Sequence, residues 1–287
     1  MSTIIDGRQT REELTPILKK KVEALGFTPT FAIIQVGNRP DSMAFIQGKK
    51  KFAANLGVNT KHIQVPESVS QTELISKIVE CNNDKSVQGI IVQLPISEHL
   101  NRTEVINAID PKKDADGLTA VNVKLLAENS SQGMIPATAR GVRELLAKYN
   151  IGLKGKNVVV VGRSDLVGKP ISIMALNEGA TVTVCHSQTV DLKADTTKAD
   201  VLIVAIGKPC FIGADYIKKG AVVVDIGINT LVGEKLEDEI QNRVLVGDVD
   251  FDAVFDKVSA ITPVPGGVGP MTVLALFENL VDLCVRM

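Results

Sequence analysis

Residues Asn157 to Pro170 read NVVVVGRSDLVGKP, and no other stretch constrains the fold as tightly. Four consecutive valines end at Gly162, with Gly168 and Pro170 close behind. An unbroken β-branched run closed by glycine predicts a strand buried on both faces, the pattern of a parallel sheet. A proline early in the next apolar segment fits the first turn of a helix, where its missing N–H costs little. Strand, glycine loop and helix N-terminus together make an anion site, because free backbone N–H groups and the helix dipole face a phosphate. The spacing is G-x-S-x-x-x-G rather than G-x-G-x-x-G, so the motif draws its force from its surroundings.

Those surroundings extend the pattern. A helix over 171–178 leads to an alternating strand, Ala180-TVTVCHS. A dinucleotide site that prefers NAD usually ends this strand with an acid that holds the ribose 2′-hydroxyl. Here the position is Cys185-His186-Ser187, with no carboxylate until Asp191. Arg163 directly follows the first glycine, where a guanidinium can meet a 2′-phosphate bidentately. Alone, Arg163 reads as a solvated loop charge; with the acid missing, it points to NADP.

A chain of 287 residues holds one large or two ordinary domains. Its 45% hydrophobic and 23% charged fractions are those of a globular protein. A net charge of −1, two tyrosines and no tryptophan offer neither a basic field nor a stacking platform for nucleic acid. The start, MSTIIDGRQTREEL, lacks the apolar core of a signal peptide, and no unbroken apolar run approaches about 18 residues, so no membrane segment is expected. Cys81, Cys185, Cys210 and Cys284 lie far apart without a C-x-x-C pair, which argues against disulfides and metal and for thiols in a reducing cytoplasm.

Helix and strand signals alternate before the glycine loop: helices over 10–25, 42–56, 72–82 and 103–109, strands over 30–36, 61–65 and 89–94. That alternation predicts a parallel α/β layer. A turn at Asp114–Gly117 opens a segment with few strand signals, which runs to Ile135 and is followed by a helix over 139–149. Strands after the glycine loop at Val201-LIVAIG, Ala221-VVVDIG and Val244-LVG predict a second, Rossmann-type layer. An amphipathic helix over 271–285 is expected to return to the first. The resulting fold class is α/β, with residues 1–118 plus 271–287 as one domain and 119–270 as the dinucleotide domain.

Ile261-TPVPGGVGPMT packs three prolines and three glycines into a dozen residues, more than a simple connection needs. Proline stiffens the loop and glycine lets its backbone approach a flat ligand; by composition alone it would be a rigid surface turn. Together with Val161-GRSDLVGKP, Val92-QLP, Lys113-DADG and Val246-GDV, this segment closely resembles the methylenetetrahydrofolate dehydrogenase/methenyltetrahydrofolate cyclohydrolase family, and the matches span nearly the whole chain. The resemblance implies two α/β domains flanking a cleft, a homodimer, and a bifunctional enzyme of folate one-carbon metabolism. Such an enzyme oxidises 5,10-methylenetetrahydrofolate with NADP and hydrolyses the methenyl product to 10-formyltetrahydrofolate.

Position by position, the resemblance puts the catalytic lysine at Lys49, its glutamine partner at Gln93 and the pterin-binding aspartate at Asp116. A carboxylate can accept from adjacent N–H groups of a pterin. A lysine whose pKa is lowered by burial can move a proton or activate water. Without the resemblance, Lys49 would be one of three solvated lysines, Gln93 a polar strand end and Asp116 a turn former. The folate-facing loop residues would be Pro265, Gly266, Gly269 and Pro270. Nucleotide contacts would come from Gly162, Arg163, Ser164, Val167 and Gly168, with Ser187 near the 2′-phosphate and Ile228 near the nicotinamide.

The chain departs from the family where Phe45 replaces the tyrosine four residues before the lysine, on the same helix face. Ile96 stands where a second proline would follow Gln93-Leu94-Pro95, and Pro136-Ala137-Thr138 stands where Cys-Thr-Pro is usual. Hydride transfer is largely a positioning task, whereas hydrolysis also needs proton traffic at Lys49. Phe45 therefore raises an alternative in which dehydrogenation survives and hydrolysis is weak or absent. A third reading is a non-catalytic folate- or NADP-binding protein, against which Lys49, Gln93 and Asp116 argue.

Overall fold

The structure, a computed structural model, describes residues 2–235 and 241–287. The chain begins with β1 (Thr3–Ile4), α1 (Gly7–Glu23), β2 (Thr30–Val36), α2 (Pro40–Leu56), β3 (Asn59–Val65), α3 (Gln71–Asn83) and β4 (Gly89–Val92). It continues through α4 (Arg102–Asn107), α5 (Ala120–Ala127), α6 (Ala137–Lys148), β5 (Asn157–Val161), α7 (Gly168–Asn177), β6 (Thr181–Cys185) and α8 (Leu192–Thr196). The remainder is β7 (Val201–Val204), β8 (Val222–Asp225), β9 (Asn229–Lys235), β10 (Gln241–Val246), α9 (Phe251–Phe255), β11 (Ala260–Ile261) and α10 (Val268–Arg286).

These elements form two compact units. One holds Glu12–Ala137 with Val273–Met287, the other the residues up to Arg11 with Thr138–Thr272. The borders differ from the expected 118/119 and 270/271, for two local reasons. Asn122 on α5 donates to Pro111 O and to Asp114 Oδ2, tying 119–137 to the preceding layer. At the other end β1 pairs parallel with β11, Thr3 beside Ala260, so the N-terminus extends the sheet of the other unit.

In the Glu12–Ala137 unit, parallel strands run in the order β3-β2-β4, with β2 central. Strand β2 (TFAIIQV) is buried along nearly its whole length, as expected of a strand with neighbours on both sides. Helix α2 ends where Gly57 turns left-handed at φ 77° and sends its N–H back to Ala53 and Ala54. A capping box between Ser70 and Glu73 starts α3. The α10 residues from Val273 onward complete this core. Phe277 packs against Phe31 and Phe52 at centroid distances of 5.2 and 5.4 Å, and Asn279 donates to Ala115 O and Ile135 O. Burying an aromatic of this size contributes roughly 1.5–3 kcal/mol. No single apolar run reaches membrane length, yet α10 as a whole is long and apolar enough to cross one; most of it is buried, as in a core helix.

The other unit carries a six-stranded, all-parallel sheet in the order β1-β11-β8-β7-β5-β6. The valines of β5 are buried from Val158 on, flanked by β6 and β7. The strand expected at Val244-LVG does not join this sheet. It lies in β10, which pairs antiparallel with β9, Val246 opposite Asn229. Three residues separate β8 from β9, too few for a parallel crossover, which takes a dozen or more.

Candidate active site

Helix α2 presents Phe45 and Lys49 one turn apart, and Phe45 is half exposed. Lys49 Nζ donates to Gln93 Oε1 at 2.8 Å. Gln93 follows β4 directly; its backbone N–H reaches Ile34 O, and its Nε2 donates to Leu94 O at 2.8 Å. The amide is thereby oriented: its nitrogen is engaged by the backbone and its oxygen faces the lysine. Two of the three Lys49 protons remain for other acceptors.

The turn after α4 separates its two aspartates by role. Asp114 is fully buried, and its carboxylate accepts from the N–H groups of Gly117 and Thr119 and from Asn122 Nδ2 at 2.8–2.9 Å. Backbone pairing of Lys113 and Ala115 with Ile90 lays the turn beside β4. Asp116, two residues on, is partly exposed, and no donor among the described residues reaches its carboxylate. Asp114 builds the turn; Asp116 is held out by it.

Burial pushes the Asp116 carboxyl up to about 6, with Asp114 adding to the rise and Lys49 opposing it. Burial lowers Lys49 from the ordinary lysine value, against the pull of Asp116. Both shifts favour the neutral forms, which brings the two proton affinities closer together. A lysine in that state gives up its proton more readily than an exposed one.

In the other unit, Gly162 (φ 128°) ends β5, and a side chain there would overlap Ala205 O. A side chain at Gly168 would overlap Gly162 O, so the loop can close only with glycine at both places. Ser164 Oγ accepts from the N–H groups of Val167 and Gly168 at 3.2 and 3.4 Å and so caps α7 itself; its own proton is still free to donate outward. Pro170 sits in the first turn of α7. Beside this loop lies a cavity of about 500 Å³ lined by Gly162, Arg163, His186, Ser187, Thr189, Lys208, Phe211 and Tyr216 among others. Arg163 Nη2 donates to Gln188 Oε1 at 3.3 Å. Asp191, the first acid after β6, caps α8 through Ala194 N–H, so it is occupied rather than offered to a ribose.

The proline–glycine loop is braced within the same unit. Gly267 N–H donates to Pro263 O, Arg8 N–H donates to Gly266 O, and Gly266 has φ 120°. Pro265 and Gly269 are exposed, Pro270 lies in the first turn of α10, and Ile228, half exposed, stands about 4.0 Å from where a Gly269 side chain would begin.

Sequence reasoning assigned no role to Lys208, Phe211 and Tyr216 at this cavity. Lys208 Nζ sits 5.1 Å over the Phe211 ring, which lies 5.7 Å from the Tyr216 ring. Their signal was available in GKPCFIGADY, which follows β7 just as the glycine loop follows β5.

A Rossmann-type sheet beside a cavity that carries Arg163 and Lys208, and in the other unit a lysine–amide–carboxylate group, define the class: a two-unit α/β protein of the dinucleotide-binding kind. The comparisons narrow this. The model described as tetrahydrofolate dehydrogenase/cyclohydrolase, catalytic domain, matches residues 5–116, and the one described as its NAD(P)-binding domain matches 136–287. The chain is 47% identical to the bifunctional protein FolD of Bacillus subtilis, over 99% of this chain and 98% of that one. It is 45% identical to the FolD of Agathobacter rectalis over the full length of both. Among solved structures, the Campylobacter jejuni FolD dehydrogenase/cyclohydrolase superposes with a TM-score of 0.93 at 39% identity, covering 100% of this chain and 99% of that one. The Trypanosoma brucei enzyme, complexed with NADP cofactor and inhibitor, gives 0.93 at 35% identity, covering 99% and 98%. The chain belongs to the tetrahydrofolate dehydrogenase/cyclohydrolase family.

Proposed function

We propose that this protein oxidises 5,10-methylenetetrahydrofolate to the methenyl form with NADP and hydrolyses that product to 10-formyltetrahydrofolate. The observation that carries the reading is Lys49 held by an oriented Gln93 amide, with the unengaged Asp116 carboxylate coupled to it. In this reading Asp116 accepts from the N–H groups of the pterin and fixes its orientation. Lys49 takes a proton from the attacking water and returns it to the ring nitrogen as the carbon–nitrogen bond opens. Gln93 holds the amine on station. Pro265, Gly266, Gly269 and Pro270 form a stiff, low-profile face for folate.

The cavity beside the glycine loop fits NADP. Arg163, Ser187 and Lys208 offer donors to a 2′-phosphate, Phe211 and Tyr216 offer a flat apolar wall, and Gly162, Ser164, Val167 and Gly168 form the loop facing the pyrophosphate. Ile228 would line the nicotinamide. When bound, the coenzyme supplies the hydride acceptor.

Phe45 leaves the Lys49–Gln93–Asp116 arrangement in place, and nothing in the site favours loss of hydrolysis. The same reading makes the protein cytoplasmic and a homodimer, and sedimentation of the purified chain would test the dimer. The decisive assay adds methylenetetrahydrofolate and NADP and follows the methenyl absorbance. A transient rise supports both steps. Accumulation would leave only dehydrogenation, and no signal would overturn the assignment.

A further inference from the structure

Two buried aspartates in the Rossmann-type unit lie outside the lining of the cavity beside the glycine loop, yet their carboxylates organise the backbone around it. Asp225 ends β8; its Oδ1 accepts from Gly227 and Asp248 N–H at 2.9 and 3.1 Å, and its Oδ2 from Val249 N–H at 2.8 Å. Asp248, with no exposed surface, accepts four more bonds. Its Oδ2 takes Ile206 and Gly207 N–H at 2.6 and 2.9 Å, and its Oδ1 takes Lys208 N–H and Asn229 Nδ2 at 2.8 and 2.9 Å. A side chain at Gly227 would overlap the Asp248 carboxylate, and one at Gly247 would overlap that of Asp225, so each acid fills the space its facing glycine leaves.

Ile206 and Lys208 line the cavity, and Asn229 is the neighbour of Ile228. A single carboxylate thus clamps the cavity wall that carries Lys208 to the segment that carries Ile228. Among the described residues no cationic side chain is bonded to this carboxylate; backbone and amide N–H groups hold it. Donor-only shells of this kind fix geometry, because every group around the acid must keep its direction for all four bonds to persist.

We propose that Asp248 is a positioning residue for the dinucleotide: through the 206–208 backbone and Asn229 it sets the separation between Lys208 and Ile228, and with it the affinity for NADP. This rests on reading the cavity as the coenzyme site. The chemistry of the shell makes the claim testable. Both oxygens accept two N–H groups each, so the amide of an Asp248→Asn variant sets its NH2 against two donors in either orientation. Changing Asn229→Asp in addition gives that NH2 an acceptor and removes one of its two donor–donor clashes.

The experiment titrates NADP into the purified full-length protein by calorimetry, alongside methenyltetrahydrofolate hydrolysis measured without coenzyme. Asp248→Asn is expected to weaken NADP binding at least tenfold, to raise KM for NADP more than it lowers dehydrogenase kcat, and to reduce hydrolysis by a clearly smaller factor than binding. The double variant is expected to recover part of the affinity. Equal losses of hydrolysis and binding, or a double variant no better than the single, would assign Asp248 to bulk stability and overturn the proposal. Wild-type affinity in Asp248→Asn would overturn it alone. Absence of NADP binding by the wild type would remove the coenzyme reading beneath it.

Discussion

Each unit carries a pair of aspartates, Asp114 and Asp116 in one turn, Asp225 at the end of β8 and Asp248 just after β10, and the two pairs are used differently. In the Asp114–Gly117 turn, Asp114 accepts three bonds and Asp116 accepts none from the described residues. In the Rossmann-type unit, Asp225 accepts three and Asp248 four, so both oxygens of each acid are engaged. An acid with a filled shell shapes backbone; an acid left with an empty one, in a turn its neighbour has fixed, is placed for a ligand. The pKa directions add a second distinction. Burial raises both Asp116 and Asp225 to about 6, but backbone N–H groups pull Asp225 down whereas a lysine pulls Asp116 down. Of the two, only Asp116 is coupled to a mobile proton carrier.

The strongest challenge to this contrast is at the carrier itself. Lys49→Ala is expected to cut methenyl hydrolysis by about 10²–10⁴-fold, the usual worth of a general acid–base group, while thermal unfolding stays near that of wild type. Asp116→Asn keeps the shape but halves the acceptor capacity, so kcat/KM for folate should drop by about 10–100-fold, matching the worth of charge-assisted bonds. The filled acid should behave in the opposite way: Asp114→Asn is expected to cost about 2 kcal/mol in denaturant stability, with folate KM in the surviving folded protein changed little. A variant that lost folate affinity at full stability would erase the distinction between the two acids.

Acidity supplies a subtler test. Ionised Asp116 is the form that accepts from the pterin, so kcat/KM for folate should fall as pH drops through about 6, and Asp116→Asn should flatten that limb. Stability runs the other way. The folded carboxyl at about 6 lies above its ordinary value of 3.8, so the native state holds the proton more tightly than the unfolded chain. Its contribution is complete below the ordinary value and is withdrawn as pH rises through 6; denaturant midpoints should therefore favour Asp116→Asn over wild type increasingly from pH 4 to 7. The smallest effect belongs to Phe45→Tyr. One added neutral hydrogen bond changes either activity by no more than about tenfold, and hydrolysis by the natural chain should already be measurable.

Legibility in the sequence followed the range of the forces involved. The glycine loop was readable because its strand, turn and helix start are contiguous and each has a local signature, and β5 and α7 lie there. Helix starts such as Ser70, whose capping box lies within three residues, were readable for the same reason. Lys49, Gln93 and Asp116 were visible only through family resemblance, since their meeting depends on sheet register and not on spacing. Asp248 stood inside the matching Val246-GDV segment, but its role gave no local sign, because its partners at Ile206 to Lys208 lie about forty residues earlier. The hairpin of β9 and β10 was missed in part because alternation shows that a segment is a strand and leaves its partner open.

The shell around Asp248 also gives an unusual surface loop. Gly207 and Lys208 are exposed, yet their amide hydrogens, with that of Ile206, point inward to a buried anion. Amide exchange there should be slow, with opening free energies closer to those of the strand interior than of the solvent-facing side chains around it. Three backbone hydrogens could then act as a built-in gauge of nucleotide occupancy, read by deuterium uptake without a label, a substrate or a turnover.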